Sequence, residues 1–338
     1  MKFILSMTAT IYLIAGTAFA QQKPLSAPVI KTANQCQPDQ LVFGSGTPKG
    51  TYGLMTAKLV EVCPMVCETQ ETQGGYDNIT NLVNEKFDAG IVQSDVIEFL
   101  NRTEPDIKKK LRSLFAMHGS SVHLFISTKG VSIATKRIEK GGMFSKDKEV
   151  NETSLSQVEK LADTKGKKIA AWSSAFITMN IVNERLKMDW DIVEVKTRKE
   201  GFDLVKSGQV WMFAAGAGKP AEWISEAAPA EFTMLNLDPA DITKLGAPYY
   251  PVKVTYRDLK VNGWNTITVR NEVLVRNVTT GPLAQSISGL KQCITQNLDT
   301  IKASRDKHPS WSDVEDLSAT TWISYVSGSS AKVAPKKK

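Results

Sequence analysis

Hydrophobic and polar positions along the first hundred residues predict strands that are each followed by a helix. The apolar run 41–43 ends in a turn of glycine, serine and threonine, and apolar residues then recur at helical spacing through Val62. The same arrangement follows twice more, with strands predicted at 68–72 and 89–92 and a helix that continues through Leu100. Three such units in succession predict an α/β fold with a mostly parallel sheet.

A second series of the same kind begins further along the chain. Two β-rich runs at 114–117 and 122–126 predict a strand that leaves the first lobe, and the alternating run 266–275 predicts a strand that returns to it. A long helix with apolar residues at helical spacing is predicted at 282–301. The strands predicted for the second series are 168–171, 192–195, 210–214 and 232–237.

The two crossings predict a two-lobed periplasmic binding protein-like fold of type II, with a ligand cleft between the lobes. Ligands of open parallel sheets bind beyond the carboxyl ends of the strands, so the polar turns of both lobes are expected to face this cleft. A lysine-rich stretch at 128–153 has little apolar periodicity and is predicted to be an exposed insertion. The expected organisation is a signal peptide at 1–20, the first lobe at 21–125, the second lobe at 126–264, a return to the first lobe at 265–325 and a flexible basic tail at 326–338.

The amino terminus is typical of a secretory signal peptide. Lys2 precedes an apolar run at 3–14, and the small-residue ending at 18–20 predicts cleavage after Ala20 and a periplasmic location. No later segment has the ~18 to 20 consecutive apolar residues of a membrane-spanning helix. The formal net charge of +7 includes a lysine-rich end, but no basic stripe is interleaved with aromatic residues, which argues against a nucleic-acid partner.

Four cysteines in an exported chain favour two disulfides over a metal site. They are Cys36, Cys63, Cys67 and Cys293, and the three possible pairings remain open. Cys63 and Cys67 have no second closely spaced Cys or His pair, so zinc is disfavoured and no metal or cofactor is expected. The first three cysteines are predicted to lie at the sheet edge opposite the glycine-rich turn.

The turn at 44–50 is the strongest candidate for a binding site. Free backbone N–H groups, small hydroxyls and the positive end of a helix dipole meet there, which suits an anionic group. Lys49 precedes Gly50, so the turn is not the phosphate-binding loop in which a lysine follows the last glycine. An ordinary strand–helix turn with no ligand is the alternative.

Three motifs carry a resemblance to a known family. The segments 44–52, 72–75 together with Asn78, and 88–96 resemble the solute-binding subunits of the TAXI branch of the TRAP transporters. The resemblance implies a periplasmic receptor that delivers a small organic acid, or an amino acid such as glutamate, to an ion-driven membrane permease. The chain departs from the family at 171–176, where Trp172 and Phe176 replace a glycine-rich turn and would narrow the pocket, and at Lys49, where glycine is common.

A receptor that performs no chemistry is therefore the leading hypothesis, with a monomer as the default. A receptor that signals to a membrane sensor and, less favoured, an enzyme on the same scaffold are the alternatives, and Asp95 is the one carboxylate in the first-lobe turns that an enzyme could use. Each polar residue could equally serve as a helix cap or turn former. The predicted ligand-binding residues are Gly46, Thr47, Lys49, Gly50, Thr51, Tyr52, Gly74, Gly75, Tyr76, Asn78, Gln93, Ser94, Asp95, Trp172, Ser173, Ser174, Gly216, Gly218 and Tyr250.

Overall fold

A computed structural model describes most of the chain between Cys36 and Ser327. The described residues are 36–37, 39–104, 106–140, 148–221, 223–224 and 230–327. The predicted signal peptide and most of the predicted basic tail lie outside them, as does the centre of the lysine-rich stretch at 141–147. Within the described part of the chain, no helix is both long and apolar enough to cross a membrane.

The first lobe contains the three predicted strand–turn–helix units. Its elements are β1 (Leu41–Gly44), α1 (Thr51–Val62), β2 (Val66–Gln70), α2 (Gly75–Val83), β3 (Ala89–Gln93), α3 (Ser94–Thr103) and the short α4 (Ile107–Lys110). Strand β1 pairs in parallel with both β2 and β3, so the three glycine-rich or polar turns meet at one edge of the sheet. All residues of β1 and β3 are buried, because helices or other strands cover both faces of a parallel sheet.

The second lobe repeats this plan. Its elements are β5 (Val131–Glu139), β6 (Lys148–Ser156), β7 (Lys168–Trp172), α5 (Ala175–Leu186), β8 (Asp191–Val195), α6 (Arg198–Lys206), β9 (Phe213–Ala217), β10 (Phe232–Met234), α7 (Pro239–Leu245) and β11 (Tyr249–Tyr256). Strands β7, β8 and β9 are parallel neighbours. The chain then returns through β12 (Val261–Arg276) to α8 (Gly281–Ala303).

Two long strands join the lobes. Strand β4 (Leu111–Ser127) pairs with β12 over its first part and with β9 and β10 over its last part. Strand β12 pairs with β11 in the second lobe and with β3 in the first. The strand order is therefore β2-β1-β3-β12-β4 in one lobe and β8-β7-β9-β4-β10 in the other, which is one pattern used twice. This is a type II two-lobed periplasmic binding protein fold, as the sequence predicts.

The runs 114–117 and 122–126 lie in one continuous strand of 17 residues, which is the strand predicted to leave the first lobe. Other elements differ from the prediction. The strand predicted at 210–214 begins later, at Phe213, and continues to Ala217. Part of the lysine-rich stretch forms the antiparallel hairpin β5–β6, which pairs Val131 with Ser156 in a sheet of its own. The backbone N–H and C=O groups of the two strands pair with each other. The hairpin therefore forms although its sequence has little apolar periodicity.

Both predicted disulfides form, and the structure supplies their pairing. Cys36 bonds to Cys67 on β2, and Cys63 at the end of α1 bonds to Cys293 on α8. The second bond closes a sequence separation of 230 residues and fastens the returning helix to the first lobe. Helix α8 also buries apolar residues such as Ile287 and Leu290 against β1 and α1, so covalent and hydrophobic contacts hold it on the same side.

Candidate functional site

A cavity lies between the two lobes at the carboxyl ends of β1, β7 and β9. Three helices begin at its wall, α1 and α2 from the first lobe and α5 from the second. Their N-cap residues Gly50, Gly74 and Ser174 make no side-chain capping hydrogen bond. In α5 the N–H groups of Phe176 and Ile177 donate to the carbonyl oxygens of Ser173 and Ser174, whereas first-turn N–H groups of α1 and α2 are left for another acceptor. Each helix terminus also carries about half a positive charge. The partial positive charges of these helix termini therefore face one cavity.

Glycine is required at the start of α2. Gly74 has φ 120° and ψ −154°, a conformation that residues with a Cβ rarely adopt. A Cβ atom there would also lie 3.1 Å from the Ser173 hydroxyl of the opposite lobe. The backbone of α2 can therefore approach the second lobe closely only because a side chain is absent.

The lobes touch on both sides of the cavity. The Ser173 hydroxyl donates a hydrogen bond to the carbonyl oxygen of Gln73, and the backbone N–H of Gly218 donates to Thr51 Oγ1 at 3.3 Å. Ser173 itself has φ 57°, in the left-handed region. These contacts join residues of different lobes, so this is a closed arrangement of the cleft.

An arginine and two tryptophans form the second-lobe wall. The Arg198 guanidinium carbon lies 5.2 Å from the ring centre of Trp172 and 4.5 Å from that of Trp223. The two indole rings meet edge to face, with centroids 6.5 Å apart. Arg198 is the first residue of α6 and is separated from the end of β8 by two residues, which places its cationic group at the same sheet edge as the helix termini.

Tyr52 of the cavity lining contacts polar side chains of the crossing strands behind the cavity. Tyr52 donates to Asn271 Oδ1 at 2.5 Å, and Asn271 Nδ2 lies 3.1 Å from His118 Nε2. Burial, followed by the negative charge of Asp95, raises the pKa of Tyr52 well above its ordinary value. The Tyr52 hydroxyl thus stays protonated and joins the cavity to β4 and β12.

Gln93 places an unpaired amide oxygen at the cavity. Its Nε2 donates to Ser120 Oγ at 3.3 Å, whereas its buried Oε1 has no hydrogen-bond partner among the described residues. The oxygen faces the start of α2, where it would lie 3.3 Å from a Cβ placed on Gly75. Buried polar atoms normally have partners, so this oxygen is available to a ligand donor.

The cavity is small, at about 80 Å³. A void of about 10–15 Å³ holds one water on this measure, so the cavity has room for roughly five to eight water-sized groups. Pockets for drug-sized ligands are several times larger, at roughly 300–1,000 Å³. The volume of the cavity suits a compact metabolite.

Most of the predicted ligand-binding residues come together at this cavity. The structure places the following in its lining: Gly46, Thr47, Gly50, Thr51, Tyr52, Gly74, Gly75, Gln93, Trp172, Ser173, Ser174, Gly216 and Gly218. They come from both lobes and from turns as far apart in sequence as Gly46 and Gly218.

Two of the six predicted residues outside the lining serve the fold. Asn78 is buried and donates to the carbonyls of Ser45 and Ile91 at 2.7 and 2.9 Å, which fixes the glycine-rich turn to β3. Asp95 is fully buried and accepts hydrogen bonds from Thr178 Oγ1 at 2.6 Å and the Tyr249 hydroxyl at 3.2 Å. Both donors come from the second lobe, so Asp95 joins the lobes behind the cavity.

The other four residues also lie outside the lining. Lys49 is exposed, Tyr76 packs against the hydrophobic core of α2 and α3, and Tyr250 lines a separate surface groove with Arg270. Ser94, the residue before Asp95, is likewise buried outside the lining. A residue's position at a strand end therefore does not determine the direction of its side chain.

The lining also contains residues that the sequence reasoning missed. They are Gln73, Ser120, Ala175, Arg198, Ala217 and Trp223. A signal existed for Arg198, because it opens the helix after β8 just as Thr51 opens the helix after β1. Ser120 lies inside a continuous crossing strand and offered no local signal.

The described lining carries one charged side chain, that of Arg198. No aspartate, glutamate, histidine or cysteine is among these lining residues, and no group of such residues in the described chain could hold a metal ion. Two histidines lie nearby in the crossing strand, where burial lowers the pKa of His118 to about 3 and that of His123 to about 4. Both are neutral at physiological pH and neither lines the cavity.

Comparison with known proteins adds a general likeness of fold. No protein-family model and no curated protein matches the chain. Solved structures that resemble it include the substrate-binding protein of an amino acid ABC transporter, with 10% identity over 77% of this chain and 93% of that one and a TM-score of 0.44. An arginine transport system periplasmic binding protein from Legionella pneumophila has 10% identity, covers 76% and 93%, and has a TM-score of 0.42. An ancestral arginine-binding protein bound to arginine has 12% identity, covers 77% and 93%, and has a TM-score of 0.46. At these TM-scores the likenesses carry no argument about the ligand of this chain.

Proposed function

We propose that this protein is a periplasmic solute receptor that binds a small organic anion, or an amino acid of the glutamate or dicarboxylate class, between its lobes. The observation that carries the proposal is the convergence of three helix N-termini and Arg198 on one interlobe cavity whose described lining has no carboxylate. Positive electrostatic features from both lobes face the same small space. An anion there neutralises charges that otherwise repel each other across the cleft.

Closure of the two lobes over the ligand adds contacts that stabilise the complex and forms the surface that a membrane partner recognises. Backbone N–H groups near Gly74, Gly75 and Ala175 donate charge-assisted hydrogen bonds, each of which contributes about 1.5–3 kcal/mol. The ligand stabilises the closed state only to the extent that it contacts both lobes. The crossing strands β4 and β12 are the hinge, and the closed pair of lobes presents the surface that a membrane partner recognises.

Delivery to a TRAP-type secondary transporter is the finer part of the proposal. It is supported by the resemblance of the segments 44–52, 72–75 with Asn78, and 88–96 to the solute-binding subunits of the TAXI branch of the TRAP transporters. Residues of these segments line the cavity or hold its turns in place. The corresponding test is uptake of the identified ligand by cells that express the receptor with its permease. Uptake that collapses when the sodium gradient is removed but persists without ATP supports an ion-driven permease, and the reverse pattern assigns the receptor to an ATP-driven transporter.

Ligand binding is tested by thermal melting of the purified protein after unfolding and refolding, which removes any bound ligand. The panel contains small mono- and dicarboxylates, amino acids, phosphate, sulfate and neutral sugars. A ligand that binds the folded state at 100 times its Kd raises the unfolding free energy by about 2.7 kcal/mol. We expect saturable increases in Tm with anionic compounds and none with the sugars.

Ser174 provides a matched pair of variants for this test. Ser174 is the N-cap of α5 and lines the cavity, and both aspartate and asparagine are favourable N-cap residues. Ser174→Asp places a fixed negative charge where the ligand's anionic group is expected, so it should fold normally and lose binding. Ser174→Asn has nearly the same shape without the charge and should bind much more strongly than Ser174→Asp. Equal binding by the two variants, or saturation by sugars alone, would reject the anion-receptor proposal.

A further inference from the structure

Both crossing strands change partners at the same level of the molecule. Strand β12 pairs with β11 of the second lobe up to Val269 and with β3 of the first lobe from Asn271 onward. Strand β4 pairs with β9 of the second lobe from Ser121 onward. A rotation of one lobe against the other therefore changes the backbone dihedral angles of β4 and β12 mainly at this level.

Strand β4 contains a β-bulge at the same level. The register between β4 and β12 shifts between Arg270 and Glu272, so that Met117 and His118 together lie opposite the single residue Asn271. A bulge bends its strand and leaves backbone groups outside the regular ladder. The bulge of β4 therefore lies in the hinge itself, and its backbone groups need other hydrogen-bond partners.

The side chain of Asn271 supplies such a partner. It is fully buried, its Nδ2 donates to the carbonyl oxygen of His118 at 3.0 Å, and the same Nδ2 lies 3.1 Å from His118 Nε2. An amide nitrogen has two N–H groups and can only donate, so Nε2 of the neutral His118 ring accepts the second one. Asn271 Oδ1 accepts a hydrogen bond from the Tyr52 hydroxyl at 2.5 Å. Both donors and the acceptor oxygen of this amide are thus engaged.

We propose that Asn271 is a positioning residue of the hinge, which holds the closed angle between the lobes and connects it through Tyr52 to the cavity. This inference rests on the proposed receptor function and concerns how its closure is controlled. Tyr52, Asn271 and His118 are called the hinge clamp below. Their hydrogen bonds are made to one another, so the hinge clamp favours the closed state before a ligand binds.

Tyr52 connects the hinge clamp to the ligand site. It belongs to α1, the first-lobe helix that begins at the cavity wall, and it lines the cavity. Its ring also meets the His118 ring edge to face, with centroids 5.9 Å apart. A ligand that packs against Tyr52 restricts the side chain to the position in which its hydroxyl reaches Asn271. Ligand and hinge clamp thus favour the same hinge conformation, and the apparent affinity is expected to follow the closed fraction of the ligand-free protein.

Two substitutions remove the hydrogen bonds of the hinge clamp in steps. Leucine has about the volume of asparagine but neither donor nor acceptor, so Asn271→Leu leaves the His118 carbonyl and the Tyr52 hydroxyl unpaired in a buried site. We expect the ratio of closed to open protein to fall by about 10-fold or more. Tyr52→Phe keeps the ring but removes one hydrogen bond, and should lower the same ratio by about 3-fold.

The ratio is measured by pulsed electron paramagnetic resonance between spin labels on the two lobes. The labels are attached through Glu71→Cys and Lys196→Cys, at exposed residues that directly follow the outermost strands β2 and β8. The four natural cysteines form two disulfides, so only the introduced cysteines react. The labelled protein without ligand should show a short and a long distance, and L-glutamate or succinate should increase the short one. Asn271→Leu should shift the ligand-free protein toward the long distance.

Asn81→Leu is the matched control. Asn81 is a buried asparagine of α2 in the first lobe, and its Nδ2 donates to the Asp77 carbonyl within the same helix. Its replacement should lower the Tm and leave the distance distribution unchanged, because it makes no contact with the hinge clamp. The double variant of Tyr52→Phe and Asn271→Leu should resemble Asn271→Leu alone, since the two residues share one hydrogen bond. In titration calorimetry, Asn271→Leu should weaken the binding of L-glutamate and of succinate by the same factor.

The outcomes distinguish this inference from the receptor proposal. The hinge clamp is overturned if the ligand-free protein shows only the long distance, if Asn271→Leu leaves the distribution unchanged, or if Asn81→Leu shifts it equally. In each of these cases, binding of L-glutamate or succinate still supports the receptor function. A shift caused by Asn271→Leu, in a protein that responds to neither compound, supports the hinge clamp and counts against the proposed ligand class.

Discussion

The buried carboxyl group of Asp95 is expected to make the unfolding free energy of this protein depend on pH. Its carboxylate is fully buried between the lobes, and its partners are the backbone N–H of Val96 and the hydroxyls of Thr178 and Tyr249. Arg185 lies over the Tyr249 ring, 5.5 Å from its centre, and is paired with Glu98 at 2.7 Å. Burial therefore raises the pKa of Asp95 to about 6, although its hydrogen bonds lower it in part.

The sign of the pH dependence follows from this shift. An unfolded aspartate has a pKa of about 3.9, so between pH 4 and 6 the folded state binds more protons at Asp95 than the unfolded state does. The stabilisation of the folded state by proton binding to Asp95 is therefore complete below about pH 4 and is lost as the pH rises through about 6. A difference of about 2 pKa units at about 1.4 kcal/mol each corresponds to roughly 3 kcal/mol.

Asp95→Asn removes the titration while keeping the shape of the side chain. An unfolding entropy of about 2.1 cal/mol/K per residue gives about 0.6 kcal/mol/K for a chain of this size, so roughly 3 kcal/mol corresponds to about 5 °C. We expect the Tm of Asp95→Asn, relative to the natural protein, to rise by about this amount from pH 4 to pH 7. The comparison between pH values cancels any constant effect of exchanging the carboxylate for an amide.

Differential scanning calorimetry at half-unit pH steps measures this difference. Thr178→Val serves as the directional control, because removal of this hydroxyl takes away the largest of the hydrogen bonds that lower the pKa of Asp95, and should move the transition to higher pH. A Tm difference between Asp95→Asn and the natural protein that stays constant from pH 4 to pH 7 would refute the argument.

The other predictions concern closure and the covalent links. Gly218→Ala should weaken ligand binding by 10-fold or more in calorimetry with little change in the Tm of the ligand-free protein, because its Cβ would meet Ser310 Oγ and lie 2.7 Å from Thr51 Cγ2 across the cleft. Gly216→Ala is the matched control, since its Cβ comes no nearer than 3.4 Å to another residue; equal losses for both glycines would contradict the explanation. Replacing Cys63 and Cys293 together with serine should destabilise the protein by roughly 2 kcal/mol more than replacing Cys36 and Cys67, because the closed loop is 230 rather than 31 residues long. Denaturant unfolding of the two double variants measures this difference, and a larger loss for the Cys36–Cys67 pair would show that loop length does not dominate.

The sequence by itself determined the order of the elements. Period-2 and period-3.6 patterns are local properties, so β1 to α3 and the return through β12 to α8 could be predicted without knowing any distant contact. Glycines at the start of α1 and α2 are local signals as well. They predicted the sheet edge at which the cavity lies, because parallel strands bring their carboxyl ends together. Most of the residues around the cavity followed from that rule.

The tertiary structure decided what each polar side chain does. Ser94, Asp95 and Ser174 have the same local setting at helix starts, yet only Ser174 lines the cavity, while Asp95 joins the lobes. The meeting of Arg198 with Trp172 and Trp223 depends on the packing of α6 and the segment after β9 against β7. Local sequence fixes backbone conformation within a few residues, whereas side-chain partners depend on contacts between segments far apart in the chain, and only the folded lobes bring those segments together.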